Sequence, residues 1–171
     1  DLGANPVETI THQTGDWALR LLLITLLLTP LRNWTGNPQW IRFRRMAGLF
    51  VYFYALCHFM IWFVADHGLD VLTMWEDVRE RPYITLGFIA FVLLTPLAVT
   101  SNRWMMRQLG RHWKSLHRLV YLILGLVIAH YLWLVKADYR EPLIYACLAA
   151  MLLVLRLPVI RQNLAHILRA S

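Results

Sequence analysis

Long apolar runs separated by short polar connections form the dominant pattern along this chain. Because a membrane-crossing helix needs roughly 20 mostly apolar residues, this pattern predicts spanning helices. Five segments fit: Trp17–Leu31, Met46–Ala65, Tyr83–Thr100, Leu116–Val135 and Pro142–Pro158. We therefore predict an all-α, polytopic membrane helical bundle with five visible transmembrane helices, forming one domain over residues 1–171. The sequence begins at Asp1 without a Met, so we expect a sixth helix to precede it.

The charged residues fall into two sets that alternate along the chain. The connections 32–45 and 101–118, with the C-terminal tail, hold twelve of the 17 basic residues and no acid. The opposite loops hold all ten acids. Since lysine and arginine are enriched in cytoplasmic loops, the first set is predicted to face the cytoplasm. The net charge of +7 is explained by this topology, because the basic residues flank spans and form no nucleic-acid-reading motif.

Two histidines lie deep inside predicted spans, where imidazole is costly without a partner. His58 precedes Asp66 by eight residues and His130 precedes Lys136 by six, which places them roughly 12 Å and 9 Å from their outer helix ends. Both helices run from the cytoplasm outwards, so the two side chains lie at similar depth. Two facing imidazoles can hold a haem iron; the alternative is a pair of core histidines bonded to backbone carbonyls. The aromatic residues expected to surround them are Phe53, Tyr54, Phe59, Trp62, Tyr131 and Trp133.

A third histidine, His117, lies about 20 Å below His130 along the same predicted helix, near the cytoplasmic boundary. The matching position on the second helix is Arg45, so no histidine is available there as a second ligand. Three interpretations stay open for His117: ligand of a second, unusually ligated haem, part of a quinone or flavin site, or an interfacial residue. The sequence has no CxxCH motif, so covalent haem attachment is not expected.

Two further features complete the pattern. The segments "LLLTPLRN" (26–33) and "VLLTPLAVTSN" (92–102) are similar and are either two like helix terminators or the trace of a duplication. The segment 66–80 is amphipathic and predicts an interfacial helix on the outer membrane face.

The segments "RFRRMAGLFVYFYALCHFMIWF", "RPYITLGFIAFVLLTPLAVTS", "RQLGRHWKSLHRLVY" and "AHYLWLVK", with "NPVETITHQTG" near the start, together resemble the MsrQ family. These proteins are the haem-binding membrane subunits of periplasmic methionine-sulfoxide reductase systems. More widely, the chain is similar to the transmembrane domain of ferric reductases and NADPH oxidases. The resemblance covers essentially the whole chain.

The resemblance implies a multi-pass protein of the bacterial inner membrane that carries haem b and associates with FMN. It implies electron transfer from the quinone pool or a cytosolic flavin reductase to MsrP, a periplasmic molybdopterin enzyme that reduces methionine sulfoxide in proteins. Family haem ligands carry over onto His58, His117 and His130. The basic residues Arg45, Arg111 and Arg118 are candidates for binding the FMN phosphate or a quinone headgroup.

Two functions of other classes compete with electron transfer. Buried histidines also serve as proton relays in transporters, and the chain could instead be a non-catalytic membrane assembly partner. The chain shows no Gly-rich dinucleotide motif, so we expect no built-in nicotinamide domain in it.

Overall fold

The structure is a computed structural model that describes residues 5–156. Within that range the chain forms eight helices and no strand, as the all-α prediction required. The helices are α1 (Pro6–Thr35), α2 (Gln39–Ala65), α3 (Val71–Glu80), α4 (Pro82–Val99), α5 (Arg103–Leu109), α6 (Arg111–Leu116), α7 (Leu119–Leu134) and α8 (Arg140–Val154).

Four stretches of the described chain are long and apolar enough to cross a membrane: α1, α2, α4 and the α6–α7 stretch, residues 111–134. The protein is therefore a multi-pass membrane protein. The fifth predicted span corresponds to α8, whose 15 residues cover about 22 Å at 1.5 Å per residue, less than a hydrocarbon core of about 30 Å. The predicted end of that span, Pro158, lies outside the described residues, so five spans stay a prediction.

The first span is longer than predicted at both ends. Helix α1 begins at Pro6, eleven residues before the predicted start at Trp17, because the Asn5 side chain accepts a hydrogen bond from the Glu8 N–H and caps the helix. The predicted start of the first span at Trp17 was therefore wrong. The helical form of the segment before Trp17 is what brings it beside α2.

The Thr-Pro pairs do not end the helices at once. Helix α1 continues for five residues beyond Pro30, and α4 for three beyond Pro96. A proline removes one backbone hydrogen bond, but the residues after it can still follow the helix. Downstream, the Thr100 hydroxyl donates to the Pro96 carbonyl at 2.6 Å and so supports the last turn of α4.

The fourth predicted span contains a break at its cytoplasmic end. Helix α6 ends at Leu116, and α7 begins at Leu119 after a turn formed by His117 and Arg118. The Arg118 N–H bonds the Ser115 carbonyl, three residues back, so the backbone tightens there. His117 and His130 therefore do not share one continuous helix.

Two antiparallel helix pairs make up most of the bundle. Helix α1 packs against α2, α4 packs against α7, and α8 contacts both α1 and α7. The core lies between the pairs, where Leu26, Ile123 and Leu124 are each 1% exposed. In an apolar stretch of 18 residues, 39% of the residues of α1 are buried within the protein, but only 11% of those of α2. Helix α1 is therefore central, while α2 leaves most of its apolar surface free for lipid.

Candidate functional site

A cavity of about 310 Å³ opens among α1, α2, α4 and α7. It lies at the end of the bundle where α1 and α4 begin and α2 and α7 end, which is the acid-rich end. His58 from α2 and His130 from α7 both line it. Its volume falls at the lower bound of the range of about 300–1,000 Å³ that is usual for cofactor and ligand sites.

The structure brings His58 and His130 together across this cavity. Their ring centres are 6.3 Å apart, and the ring planes meet at 83°. With a metal–imidazole bond of about 2.0 Å and about 1.1 Å from that nitrogen to the ring centre, two imidazoles on opposite sides of one metal ion have centres roughly 6.2 Å apart. The observed separation of 6.3 Å is close to this span, so a metal ion held by both imidazoles would fit between the rings.

Each ring is tethered through its Nδ1 atom to a backbone carbonyl. Nδ1 of His58 lies 2.8 Å from the Thr11 oxygen in α1, and Nδ1 of His130 lies 2.7 Å from the Tyr83 oxygen in α4. A carbonyl can only accept a hydrogen bond, so each Nδ1 carries the proton. The unprotonated Nε2 of each ring is then the nitrogen available to a metal.

The donor set fits haem better than a bare metal ion. In the described part of the chain, no group of three or more His, Cys, Asp or Glu side chains is placed to hold a metal. Two imidazoles would nevertheless be enough to hold haem, because the porphyrin itself supplies four nitrogens to the iron. The mixed apolar and aromatic cavity wall suits the body of a porphyrin.

Comparison with known proteins decides the family. The family described as "Ferric reductase like transmembrane component" matches residues 14–128. A relative from Bordetella pertussis, "Protein-methionine-sulfoxide reductase heme-binding subunit MsrQ", is 51% identical over 89% of this chain and 75% of its own length. The chain belongs to the MsrQ family.

Other MsrQ proteins show the same level of similarity. The MsrQ of Xanthomonas axonopodis pv. citri is 52% identical over 89% of this chain and 70% of its own length. The MsrQ of Ralstonia nicotianae is 52% identical over 90% of this chain and 72% of its own length. No solved structure matches this chain significantly.

The aromatic wall of the cavity in this MsrQ-family chain differs from the predicted one. Of the six aromatic residues expected there, Phe59, Trp62 and Tyr131 line the cavity, whereas Phe53 and Trp133 are 54% and 60% exposed on the outside of the bundle. Five residues along a helix turn about 140° from the starting face, which takes Phe53 away from His58. The remaining one, Tyr54, stacks against Trp17 outside the cavity. Helix α4 instead contributes Phe88 and Phe91 to the wall.

The mouth of the cavity is acidic, with one strong cation. Glu8, Asp16 and Asp66 line it, and Arg81 is the only lysine or arginine among the lining residues of the described chain. Arg81 Nε lies 3.1 Å from an Asp77 carboxylate oxygen. A hydrogen bond to Tyr83 and the negative charge of Asp77 raise the pKa of the Arg81 guanidinium. Arg81 thus stays charged at the edge of the site.

The third predicted haem histidine of the MsrQ family lies elsewhere. His117 is not among the residues lining the cavity, and its Nε2 is 3.3 Å from the Thr100 hydroxyl. Its ring packs 3.9 Å from the Trp113 ring, centre to centre, and the Trp113 indole N–H donates to the Thr100 carbonyl. These contacts fix His117 at the opposite, basic end of the bundle.

The three predicted cofactor-binding arginines also lie at the basic end and away from the cavity. Arg45, Arg111 and Arg118 are exposed, and none forms an ion pair with an acid of the described residues. The structure therefore separates two sets of predicted site residues. His58 and His130 share one cavity, while His117 and the arginines occupy the other end.

Sequence reasoning missed the residues that support the two imidazoles. Thr11 and Tyr83 act through backbone carbonyls, which leave no residue-type signal, and Gly15 and Gly87 act by leaving free the space that the rings occupy. The sequence did contain one signal of these supports. Gly15 precedes His58 by the same number of residues as Gly87 precedes His130.

Proposed function

We propose that this chain binds one haem b between His58 and His130 and carries electrons across the bacterial inner membrane. The relatives' printed names describe haem-binding subunits of protein-methionine-sulfoxide reductase. The single observation that carries the proposal is the pair of tethered imidazoles, 6.3 Å apart between ring centres, inside one cavity.

In this mechanism the protein positions and tunes, and does no bond chemistry of its own. When bound, haem supplies a one-electron carrier. The Nδ1–H bonds to Thr11 and Tyr83 hold each ring in the tautomer that presents Nε2. The aromatic wall would exclude water from the bound haem, and Arg81, which lines the cavity, would pair with a propionate.

The electron acceptor in this proposal is an MsrP-like periplasmic molybdopterin subunit, which would reduce methionine sulfoxide in proteins. The haem site lies at the acid-rich end of the bundle, and that end faces the periplasm if lysine and arginine bias sets the topology. An acceptor docking on this face would then lie on the side nearest to the haem. Helix α3, which is exposed at this end, would form part of that face.

Electrons would enter from the opposite end, from the quinone pool or a cytosolic flavin reductase. We place FMN or the quinone headgroup at this end, near His117. Arg45, Arg111 and Arg118 are exposed cations there without acid partners, and such cations suit a phosphate or a polar headgroup. In this proposal His117 contacts the flavin or quinone, or ligates a second haem after releasing Thr100.

The absorption spectrum of the purified protein tests the haem proposal. We expect a Soret band that shifts on dithionite reduction, with one iron per chain if His117 binds no haem. His58→Ala and His130→Ala should each lose that band, whereas His112→Ala, an exposed histidine outside the cavity, should keep it. A colourless, folded wild-type protein from haem-replete cells would contradict the proposal and favour a proton-relay transporter or an assembly partner.

Flavin content tests the second site. The variants His117→Ala and Arg111→Ala/Arg118→Ala should lose bound flavin or quinone-dependent haem reduction while keeping the Soret band of the haem at His58 and His130. Loss of the haem at His58 and His130 in these variants, with the flavin retained, would show that the two sites are wrongly assigned.

A further inference from the structure

Two glycines face the two imidazoles that line the cavity. A Cβ atom added to Gly15 would lie 3.1 Å from Nδ1 of His58, and one added to Gly87 would lie 2.9 Å from Nδ1 of His130. Contacts under 3.0 Å essentially never occur for real Cβ atoms, and those of 3.0–3.4 Å are tight. The two glycines therefore leave just the space that the rings occupy.

Helix geometry explains why glycine is needed at these places. In an α-helix the carbonyl of residue i bonds the N–H of residue i+4, and each Cα–Cβ bond tilts towards the helix N-terminus. The Cβ atom of residue i+4 therefore leans over the carbonyl of residue i. Gly15 is residue i+4 to Thr11, and Gly87 is residue i+4 to Tyr83. With no Cβ there, each carbonyl is open to a further hydrogen bond, from the imidazole. The Thr14 hydroxyl also lies 2.9 Å from the Thr11 oxygen.

This arrangement occurs twice with the same spacing. Thr11, Gly15 and His58 form the first set, and the members of the second, Tyr83, Gly87 and His130, each lie 72 positions later. Helices α2 and α6 also begin 72 residues apart, at positions 39 and 111. The α1–α2 pair and the pair formed by α4 with the α6–α7 stretch therefore carry these residues in the same register. The similar Thr-Pro segments do not follow this register, because Thr29 and Thr95 are 66 positions apart.

We propose that Gly15 and Gly87 are positioning residues for the haem site, each exposing a backbone carbonyl that fixes one axial imidazole. This inference rests on the proposed function and deepens it. Each helix pair supplies one backbone carbonyl, from Thr11 in α1 and from Tyr83 in α4. The two imidazoles are therefore held in the same tautomer by the same kind of hydrogen bond. The glycines lie beside the two imidazole rings and would not contact the iron itself.

The chain offers matched controls. Gly48 in α2 and Gly125 in α7 are also helical, but an added Cβ atom at either would meet nothing within 4 Å. Alanine is favoured over glycine inside a helix by about 1 kcal/mol, so helix propensity alone would favour all four alanine variants. A loss of haem affinity in Gly15→Ala or Gly87→Ala must then come from the close approach of the added methyl group to the imidazole ring.

The test compares wild type with Gly15→Ala, Gly87→Ala, Gly48→Ala and Gly125→Ala, each purified with haem. Loss of an outer-shell partner of a metal-bound histidine typically costs 10–100-fold in affinity. We expect Gly87→Ala to transfer haem to excess apomyoglobin at least about tenfold faster than wild type. Gly15→Ala should show a smaller change, because its contact is 0.2 Å longer (3.1 against 2.9 Å).

The midpoint potential separates positioning from packing. A weaker Nδ1–H bond makes the imidazole a poorer donor, so the potential should rise in Gly15→Ala and Gly87→Ala and stay unchanged in the two controls. Haem loss and potential equal to those of the controls in both variants would overturn the inference while leaving the haem proposal intact. If the wild type binds no haem, the proposed function and this inference both fail.

Folding failure is also informative. If Gly87→Ala does not fold, removal of the ring should relieve the contact, so Gly87→Ala/His130→Ala should fold as well as His130→Ala alone. The same holds for Gly15→Ala/His58→Ala against His58→Ala. A double variant that still fails to fold would show that the methyl group disturbs helix packing, and would contradict the positioning role.

Discussion

Replacing Arg81 with glutamine should lower the midpoint potential of the haem, because it removes the one lysine or arginine found among the described cavity-lining residues. A positive charge favours the more negative, reduced state. Arg81 is two residues before Tyr83, whose backbone oxygen lies 2.7 Å from Nδ1 of His130. The Arg81 guanidinium would therefore lie on the order of 10 Å from an iron ion held by His130. The substitution also frees the carboxylate of Asp77, whose charge acts in the same direction.

The expected size follows from Coulomb's law. The Arg81 side chain is 55% exposed, so an effective dielectric constant of about 40–80 applies and the interaction is roughly 0.4–0.8 kcal/mol at about 10 Å. For a one-electron couple, 1.4 kcal/mol corresponds to about 59 mV. The potential should therefore fall by about 15–35 mV, and by more if Arg81 pairs directly with a propionate.

A spectroscopic redox titration at low and high salt measures this shift. Exposed charges are screened over about 8 Å at 0.15 M ionic strength, so the shift should shrink as salt is added. Arg79→Gln is the control, because Arg79 is exposed on α3 and does not line the cavity. An unchanged or raised potential in Arg81→Gln, or an equal fall in both variants, would refute the reasoning.

Two further predictions concern contacts that stabilise the bundle, and a third concerns the surroundings of His117. Ile123→Ala, at a position 1% exposed, should lower the free energy of unfolding by about 2–4 kcal/mol, whereas Leu122→Ala, at 53%, should change it little, as thermal unfolding in detergent would show. Tyr145→Phe removes the hydroxyl that accepts from Arg20 Nε at 2.7 Å and should cost about 0.6–1.7 kcal/mol by the same assay. Thr100→Val removes the hydroxyl beside the third histidine and should leave the Soret band unchanged while altering flavin binding or quinone-dependent reduction.

The helices and the histidine pair were predictable because their signals are local. Apolar runs and flanking charges mark the spans, and counting residues from Asp66 and Lys136 placed His58 and His130 at similar depth. Their ring separation of 6.3 Å agrees with that estimate. The predicted start of α1 was too late because "PVETITHQTG" contains Thr, Gly and Gln, which weaken the apolar pattern. The Asn5 cap and packing against α2 nevertheless keep this segment helical.

The supports of the imidazoles could not be predicted from residue types. A backbone carbonyl is present at every position, so the amino-acid sequence does not show that the carbonyls of Thr11 and Tyr83 accept hydrogen bonds from the two imidazoles. Gly15 usually indicates a break, and only the position of the His58 ring shows that it allows a close approach. Two interpretations were open for the buried histidines: metal ligands, or core residues bonded to backbone carbonyls. The structure is compatible with both, because Nδ1 makes the hydrogen bond and Nε2 stays available to a metal.

Low-temperature EPR of the ferric protein tests most directly whether His58 and His130 bind one haem between them. With ring planes at 83°, we expect a strongly anisotropic low-spin signal in the wild type that disappears in both His58→Ala and His130→Ala. A high-spin wild-type haem, or a low-spin signal that survives intact in either variant, would contradict the account.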